Sequence, residues 1–295
     1  MKAAKFNYIL AGSIEEAVQV LENGGSDAVV LAGGQTLMPL LAMRLARPAT
    51  VIDINGIAAL SGIEAGEDEV VIKACTRQAT ALASPLVQAY LPLLAKAIAH
   101  VGHQQTRNRG TVGGSLAHAD PASEIPLAAL AMDAFVRLRS SEGTREVPMA
   151  NYFLGPITTA RADGELMLGV HFPRQPGQAR IGTGFHEVSE RRGDFAVVAA
   201  AAQIELDDIG RCARAALAIG GADAVPRRIT QLENRLLGTS INEDGIRAAL
   251  PDIAAALSPG DDQHASAAYR RRVAGVLGER ALLDAMREAM REARQ

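Results

Sequence analysis

The chain has 295 residues, enough for two domains, and 48% of them are hydrophobic, enough for sizeable cores. Its 33 acidic and 30 basic side chains leave a formal net charge of −3, which removes the electrostatic case for nucleic acid, and with no Trp and 3% aromatic residues it has no stock of stacking platforms. Cys75 and Cys212 lie far apart with no CxxC spacing, so neither an iron–sulfur cluster nor a Cys-ligated zinc is expected here. No run of ~18 apolar residues marks a membrane span. Residues 1–7 lack the apolar core of a secretory leader, so the protein is expected to be cytoplasmic.

In chain order, Ser13-Ile14-Glu15-Glu16 has the spacing of a capping box. Ala17, Val18, Val20 and Leu21 follow, and Gly24-Gly25 closes the helix they predict. Residues 28–31 read as a strand running into a glycine turn, residues 50–54 as a second strand and residues 70–74 as a third. Pro85 and Pro92 sit at first helical positions, the second opening a helix to about His100. Residues 102–123 show no sustained period and read as a long functional loop. Ser123 is placed to cap a short helix through Leu130, and residues 134–139 and 164–172 are strands. Residues 173–177, with two prolines and a glycine, mark a domain boundary. Beyond it, residues 184–189, 196–206 and 212–219 suit a three-stranded antiparallel meander. The Ala-rich run 199–202 is poor in strand formers. Helices are expected over 230–237, about 243–257, and 265 to near 294.

Two glycine-paired segments carry the chemistry. Ala32-Gly33-Gly34-Gln35-Thr36 follows the first strand, and Thr111-Val112-Gly113-Gly114-Ser115 runs on into Leu116-Ala117-His118-Ala119-Asp120-Pro121. Glycine lets backbone approach a ligand closely, and successive N–H groups in such turns form anion-binding concavities. Gly33-Gly34 alone is as easily an ordinary strand–turn–helix. Two such segments suggest a diphosphate held from both sides, hence a dinucleotide. There is no Gly-Lys-Ser/Thr and no GxGxxG, so neither a P-loop nor a nicotinamide-binding Rossmann unit is supported. His100, His103 and His118 with Asp120 read more simply as helix-end and loop histidines than as a metal site, and no metal is expected. Ser115, His118 and Asp120 are too compressed on one loop for a catalytic triad.

The stretch from Gln105-Thr106-Arg107-Asn108-Arg109-Gly110 through Thr111-Val112-Gly113-Gly114-Ser115 to Ser123-Glu124-Ile125-Pro126 resembles the flavin-binding signature of the FAD subunits of molybdenum hydroxylases. That family includes the medium subunit of bacterial carbon monoxide dehydrogenase and the FAD domain of xanthine dehydrogenase. Ala32 to Pro39 is similar to the family's other loop, and Phe185 to Ala196, with Arg191-Arg192-Gly193-Asp194, resembles its Arg-Arg-x-x-Asp stretch. The three occur in the family's order over about residues 5–285.

The resemblance implies an α+β fold. A two-subdomain FAD-binding domain of PCMH type would span residues 1–176 (subdomains about 1–55 and 56–176). A C-terminal domain of carbon monoxide dehydrogenase flavoprotein type, 177–295, would hold the three-stranded sheet and a helical bundle. It implies non-covalent FAD. Leu31, Ala32, Gly33, Gly34, Gln35 and Thr36 would hold the pyrophosphate through backbone N–H groups and the Thr36 hydroxyl. Thr111, Gly114 and Ser115 would close the cradle from the other side. His118 and Asp120 would lie near the flavin or ribityl chain, Glu124 would contact their polar atoms, and Leu168 would pack near the adenine or flavin. His186 stands where some relatives have Lys, and Phe195 near a residue that covers the isoalloxazine ring. No catalytic residue is implied. The chain would pass electrons from a small iron–sulfur subunit to an external acceptor, beside a large molybdopterin subunit, in a dimer of heterotrimers. Molybdopterin and the iron–sulfur clusters would lie only in those partners. The rival readings are a self-sufficient flavin oxidoreductase of the same superfamily and a non-enzymatic scaffold that keeps the fold.

Overall fold

The computed structural model describes residues 2–174 and 180–292. Part of the 173–177 boundary therefore lies outside the described residues.

The N-terminal subdomain contains β1 (Asn7–Leu10), α1 (Ile14–Gly24), β2 (Ala28–Leu31), α2 (Leu37–Ala42) and β3 (Thr50–Asp53). Its three strands form a parallel sheet in the order β1-β3-β2. The capping box is half formed as expected. Ser13 Oγ accepts from the Glu16 N–H at 3.1 Å, while the Glu16 carboxylate takes the Gly12 N–H at 2.8 Å. Helix α1 buries Ala17, Val18 and Leu21.

The second subdomain runs through β4 (Ile63–Ala65), β5 (Glu69–Lys73), α3 (Gln78–Ala83), α4 (Pro85–Tyr90), α5 (Pro92–His100), α6 (Gln104–Arg109), α7 (Val112–His118) and α8 (Glu124–Ala131). It continues with β6 (Phe135–Ser140), β7 (Gly143–Pro148), the small hairpin β8 (Phe153–Gly155) and β9 (Thr158–Thr159), and β10 (Leu166–Pro173). Five strands pair antiparallel in the order β4-β5-β10-β6-β7. Residues 102–123 are not the long loop expected from the sequence. They fold into α6 and α7. Helix α7 tolerates two glycines because Gly113 presses on β5's exit, where a Cβ would fall 2.6 Å from the Ala74 carbonyl oxygen. Packing overrides the poor helix propensity of glycine there.

The C-terminal domain holds β11 (Arg180–Val188), β12 (Val198–Leu206), β13 (Cys212–Gly220) and β14 (Arg227–Arg228). It ends in α9 (Thr230–Leu236), α10 (Glu243–Ala249), α11 (Pro251–Ala256) and α12 (Ala267–Glu292). The expected meander is present, with β14 as a fourth, two-residue strand on its edge. The single helix expected over 243–257 is two helices, divided at Pro251, which has no N–H to continue the ladder.

Strand β12 explains its own alanines. All nine of its residues are buried. Ala199 and Ala201 join the core of the second subdomain, while Ala200 and Ala202 join the core under α12. The period-two alternation thus puts one face of the sheet against α5 and α8 and the other against α12. Small side chains let both layers come close. The approach is tightest at β11, where a Cβ on Gly182 or Gly184 would overlap the carbonyl oxygens of Ala285 and Ala281 respectively.

Gly182→Ala is therefore expected to destabilise the protein by at least about 2 kcal/mol, since α12 would have to move off the sheet. Gly275, also on α12, has no atom within 4 Å of its Cβ position. Gly275→Ala is expected to stabilise by roughly 0.5–1 kcal/mol through helix propensity. Thermal unfolding of the two variants beside wild type checks both signs.

Candidate functional site

A cleft of about 770 Å³ opens where the two subdomains and the C-terminal domain meet. Its walls include Ala32 to Thr36, Thr111, Gly114, Ser115, His118 and Glu124, and a rim from the C-terminal domain, Gly193-Asp194-Phe195. The two glycine segments, about 80 residues apart in sequence, thus line one cavity.

Their contact is direct backbone against backbone. A Cβ on Gly33 would lie 2.5 Å from the Arg109 carbonyl oxygen and 2.8 Å from the Gly110 Cα. Gly34 has φ +70°, a region that favours glycine. Two side chains bolt the contact. Arg77 donates from Nη1 to the Arg109 carbonyl at 2.5 Å and from Nη2 to Asn55 Oδ1 at 2.6 Å. Asn55 Nδ2 in turn donates to the Ala32 carbonyl at 2.8 Å. Asp53 fixes Asn55 by accepting from its N–H at 2.9 Å and from Nδ2 at 2.6 Å. Burial raises the Asp53 carboxyl, but the bonds from Asn55 and the Tyr8 hydroxyl, together with the Arg77 charge, hold it net below its ordinary value. Neither Asn55 nor Arg77 is flagged by sequence reasoning. Asn55-Gly56 looks only like a strand stop, and a lone arginine 22 residues on has no periodic signal.

The two segments are not equivalent halves. Among the described residues, the N–H groups of Gly33, Gly34, Gln35 and Thr36 donate to nothing in the chain. They form a bank of free donors on residues that line the cleft. The second segment's N–H groups are mostly spent: Gly113 donates to the Ala74 carbonyl at 3.0 Å, Gly114 to Thr111 Oγ1 at 3.0 Å and Ser115 to the Thr111 carbonyl at 3.2 Å. What it offers a ligand is the Thr111 N–H, which has no acceptor among the described residues, and the Thr111 and Ser115 hydroxyls. A diphosphate, rich in acceptors, is chemically complementary to this donor set.

The other singled-out residues divide. His118 and Glu124 line the cleft, and Phe195 lines it while remaining 58% exposed. Phe195 is presented by a tight turn in which Arg191 Nε meets Asp194 Oδ2 at 3.0 Å and Gly193, at φ +88°, lies on Gly102. Leu31 sits behind the first turn, its Cδ1 3.2 Å from the Gly34 Cβ position. Asp120 folds back to accept the Ala122 N–H at 2.9 Å and is not among the lining residues. Leu168 packs on the core of the N-terminal subdomain. Its neighbours Leu166 and Met167 line the cleft instead, next to a bulge between Met167 and Gly169 that resets the strand's alternation. His186 is turned away. It shares the face of β11 that carries Gly182 and Gly184, and its Nε2 meets Asp284 Oδ2 of α12 at 2.8 Å. Phe185 and Glu187, on the opposite face, meet His100.

Glu124 is 4% exposed, and burial pushes its carboxyl up to about 7, its own N–H pulling the other way and Glu187 adding repulsion. The Glu187 side chain is also largely covered, at 6% exposed. Its Oε1 lies 3.1 Å from His100 Nδ1, a bond that raises the imidazole above its ordinary value, and its Oε2 has no partner. Among the described residues, no group of three or more His, Cys, Asp or Glu side chains is arranged to hold a metal ion. None of the described helices is long and apolar enough to cross a membrane.

The chain matches two family models. Residues 4–175 match the FAD binding domain in molybdopterin dehydrogenase, and residues 183–285 match the CO dehydrogenase flavoprotein C-terminal domain. It is 38% identical to the 6-hydroxypseudooxynicotine dehydrogenase complex subunit alpha of Paenarthrobacter nicotinovorans, over 98% of this chain and 97% of that one. It is 35% identical to the carbon monoxide dehydrogenase medium chain of Hydrogenophaga pseudoflava, over 94% and 96%. A solved structure of carbon monoxide dehydrogenase from Hydrogenophaga pseudoflava superposes with a TM-score of 0.93 at 34% identity, covering 98% of this chain and 99% of that one. Quinoline 2-oxidoreductase from Pseudomonas putida 86 superposes with a TM-score of 0.91 at 34% identity, covering 98% and 100%. The cleft with its glycine walls, the two matched domains and the full-length relatives together establish that this chain belongs to the FAD-binding medium subunits of the molybdenum hydroxylase family.

Proposed function

We propose that the chain holds FAD non-covalently in this cleft and carries electrons from a separate iron–sulfur subunit to an external acceptor. A large molybdopterin subunit would complete the complex, as a dimer of heterotrimers, and the chain's own two units would meet near residue 176. The observation that carries the reading is the bank of free N–H groups at Gly33 to Thr36, set opposite the Thr111 and Ser115 hydroxyls across one cavity. Bound FAD would supply the redox chemistry, accepting and releasing electrons in steps that no side chain here can perform. The chain's residues do the rest. Gly33, Gly34, Gln35 and Thr36 donate to the diphosphate, and Thr111 and Ser115 hold it from the facing wall. Glu124 and His118 face the cofactor's polar atoms, and Phe195 stands at the solvent-exposed end. Relatives named for 6-hydroxypseudooxynicotine, nicotine and carbon monoxide each have a subunit similar to this chain. Substrate choice would then rest with a partner subunit rather than with this cleft.

Two outcomes are expected. The purified chain, reconstituted with FAD, should show a flavin absorption spectrum at about one equivalent. Gly34→Val, which forces a branched side chain onto a φ of +70° at the donor turn, should cut flavin content at least tenfold with its circular dichroism close to wild type. A wild-type chain that takes up no flavin overturns the reading, and turnover of an organic substrate by the isolated chain would favour a self-sufficient oxidoreductase.

A pH-dependent outcome concerns Glu124. With its carboxyl raised to about 7 in the folded state, the folded chain binds more protons than the unfolded chain above the ordinary carboxylate range. That contribution is present at low pH and is lost as pH rises through 7. Between pH 6 and pH 8 the flavin-free wild type should lose about 1.4 kcal/mol through this group, and Glu124→Gln should not. Urea unfolding of both proteins at the two pH values reads the difference, and parallel profiles would refute it.

A further inference from the structure

Arg161 is a cleft-lining cation outside both glycine segments. It sits between β9 and β10 and is firmly seated. Its N–H donates to Thr159 Oγ1 at 3.3 Å, and its Nη1 donates to the carbonyls of Ala162 at 2.8 Å and Glu165 at 2.9 Å. Backbone carbonyls thus fix one corner of the guanidinium. The adjacent Glu165 carboxylate interacts with it only through space, its own hydrogen bonds going elsewhere. Glu165 gives both oxygens to Arg145, at 2.5 and 2.7 Å, and takes the Ala162 N–H at 2.7 Å. Among the described residues Arg161 enters no ion pair, and its Nε and Nη2 donate to no one. A guanidinium is always charged, donates only, and binds oxyanions and hydroxyl oxygens through its fork.

The two ends of the cleft differ in kind. At one, Gly193 to Phe195 of the C-terminal domain close on Gly102, with Glu124 beside them and Phe195 exposed to solvent. A redox-active ring that hands electrons to an external acceptor has to reach solvent, and this end provides that. At the other, the start of β10 lies against α1, where the Cβ position of Gly164 is 3.0 Å from Glu22 Cγ. Arg161, Glu165 and Leu166 line the cleft there.

We infer that Arg161 is a binding residue for the adenosine diphosphate half of the dinucleotide, donating from Nε and Nη2 to its phosphate and ribose oxygens. This rests on the FAD reading above, with the flavin at the Phe195 end and the adenosine at the Arg161 end. It also gives the site a preference for a dinucleotide over a flavin lacking adenosine.

The test titrates the flavin-free full chain with FAD and with riboflavin, followed by flavin fluorescence, and uses ADP as a competitor. Arg161→Gln should weaken FAD about tenfold and ADP by a similar factor, leave riboflavin unchanged, and flatten the salt dependence of FAD binding. Arg161→Lys keeps the charge and loses the fork. It should give an intermediate loss, and it keeps the test readable if the Gln variant unfolds. Equal FAD affinity in wild type and both variants overturns the inference, as does a loss shared equally by riboflavin with ADP unaffected. If wild type binds no FAD at all, it is the FAD reading that falls, and the inference with it.

Discussion

The structure depends on one close approach, that of Gly33 to the Arg109 carbonyl. It brings the parallel-sheet subdomain onto the antiparallel one, and any Cβ at Gly33 would hold them apart. Because the approach is made by main chain, it needs polar groups to consume the carbonyls it buries, and Arg77 and Asn55 do so on either side of the seam. The guanidinium is a suitable bolt because its planar fork reaches two acceptors at once. Asp53, with its carboxyl held below the ordinary range, stays ionised and keeps Asn55 in register. The cleft is the space left beside this seam, so its width follows from the seam's geometry rather than from the ligand.

From that follows the division of labour between the two glycine segments. The first lies outside any helix or strand, and its N–H groups remain free. The second is wound into α7, capped by Thr111 and pinned to Ala74, so its N–H groups are consumed in making a rigid wall. Free donors on a short turn and hydroxyls on a fixed wall make a preorganised oxyanion site, in which little has to reorder when a diphosphate arrives. Glycine serves close packing in both segments, at Gly33 against Arg109 and at Gly113 against Ala74, and only the first segment keeps its donors free as well.

Much of this was legible in the sequence. The first strand and its turn, the capping box and the two proline-opened helices are set by local rules, and the structure follows them. The ordered glycine segments were enough to place both walls of one cleft. What escaped was non-local. Helices α6 and α7 look like a loop because their period is masked by Gly and polar residues whose reasons lie in Ala74 and Gln78, far back in the chain. Met167 and Leu168 exchange roles beside a bulge that no propensity reveals. His186 sits one residue from Phe185, and strand alternation alone sends it to α12 instead of the cleft side. Arg77 carries weight only because folding brings the Arg109 carbonyl and Asn55 to it.

The C-terminal domain has a positioning role that its distance in sequence conceals. Arg270 of α12, 8% exposed, donates from Nη1 to the Val197 carbonyl at 3.0 Å and to the Gly221 carbonyl at 2.5 Å, and from Nη2 to Asp262 at 2.6 Å. Gly221 in turn donates to the Pro121 carbonyl at 2.9 Å, on the loop that follows α7. One buried guanidinium thus links the last helix to the residues just after Phe195 and to the loop leading into Glu124. The sheet sandwiched between α8 and α12 supplies the stiffness, and Arg270 transmits it to the cleft rim. A rim held this way keeps Phe195 at the mouth even though that ring is largely exposed, which hydrophobic burial alone would not do. The position of the exposed aromatic is therefore set by polar bonds two layers behind it.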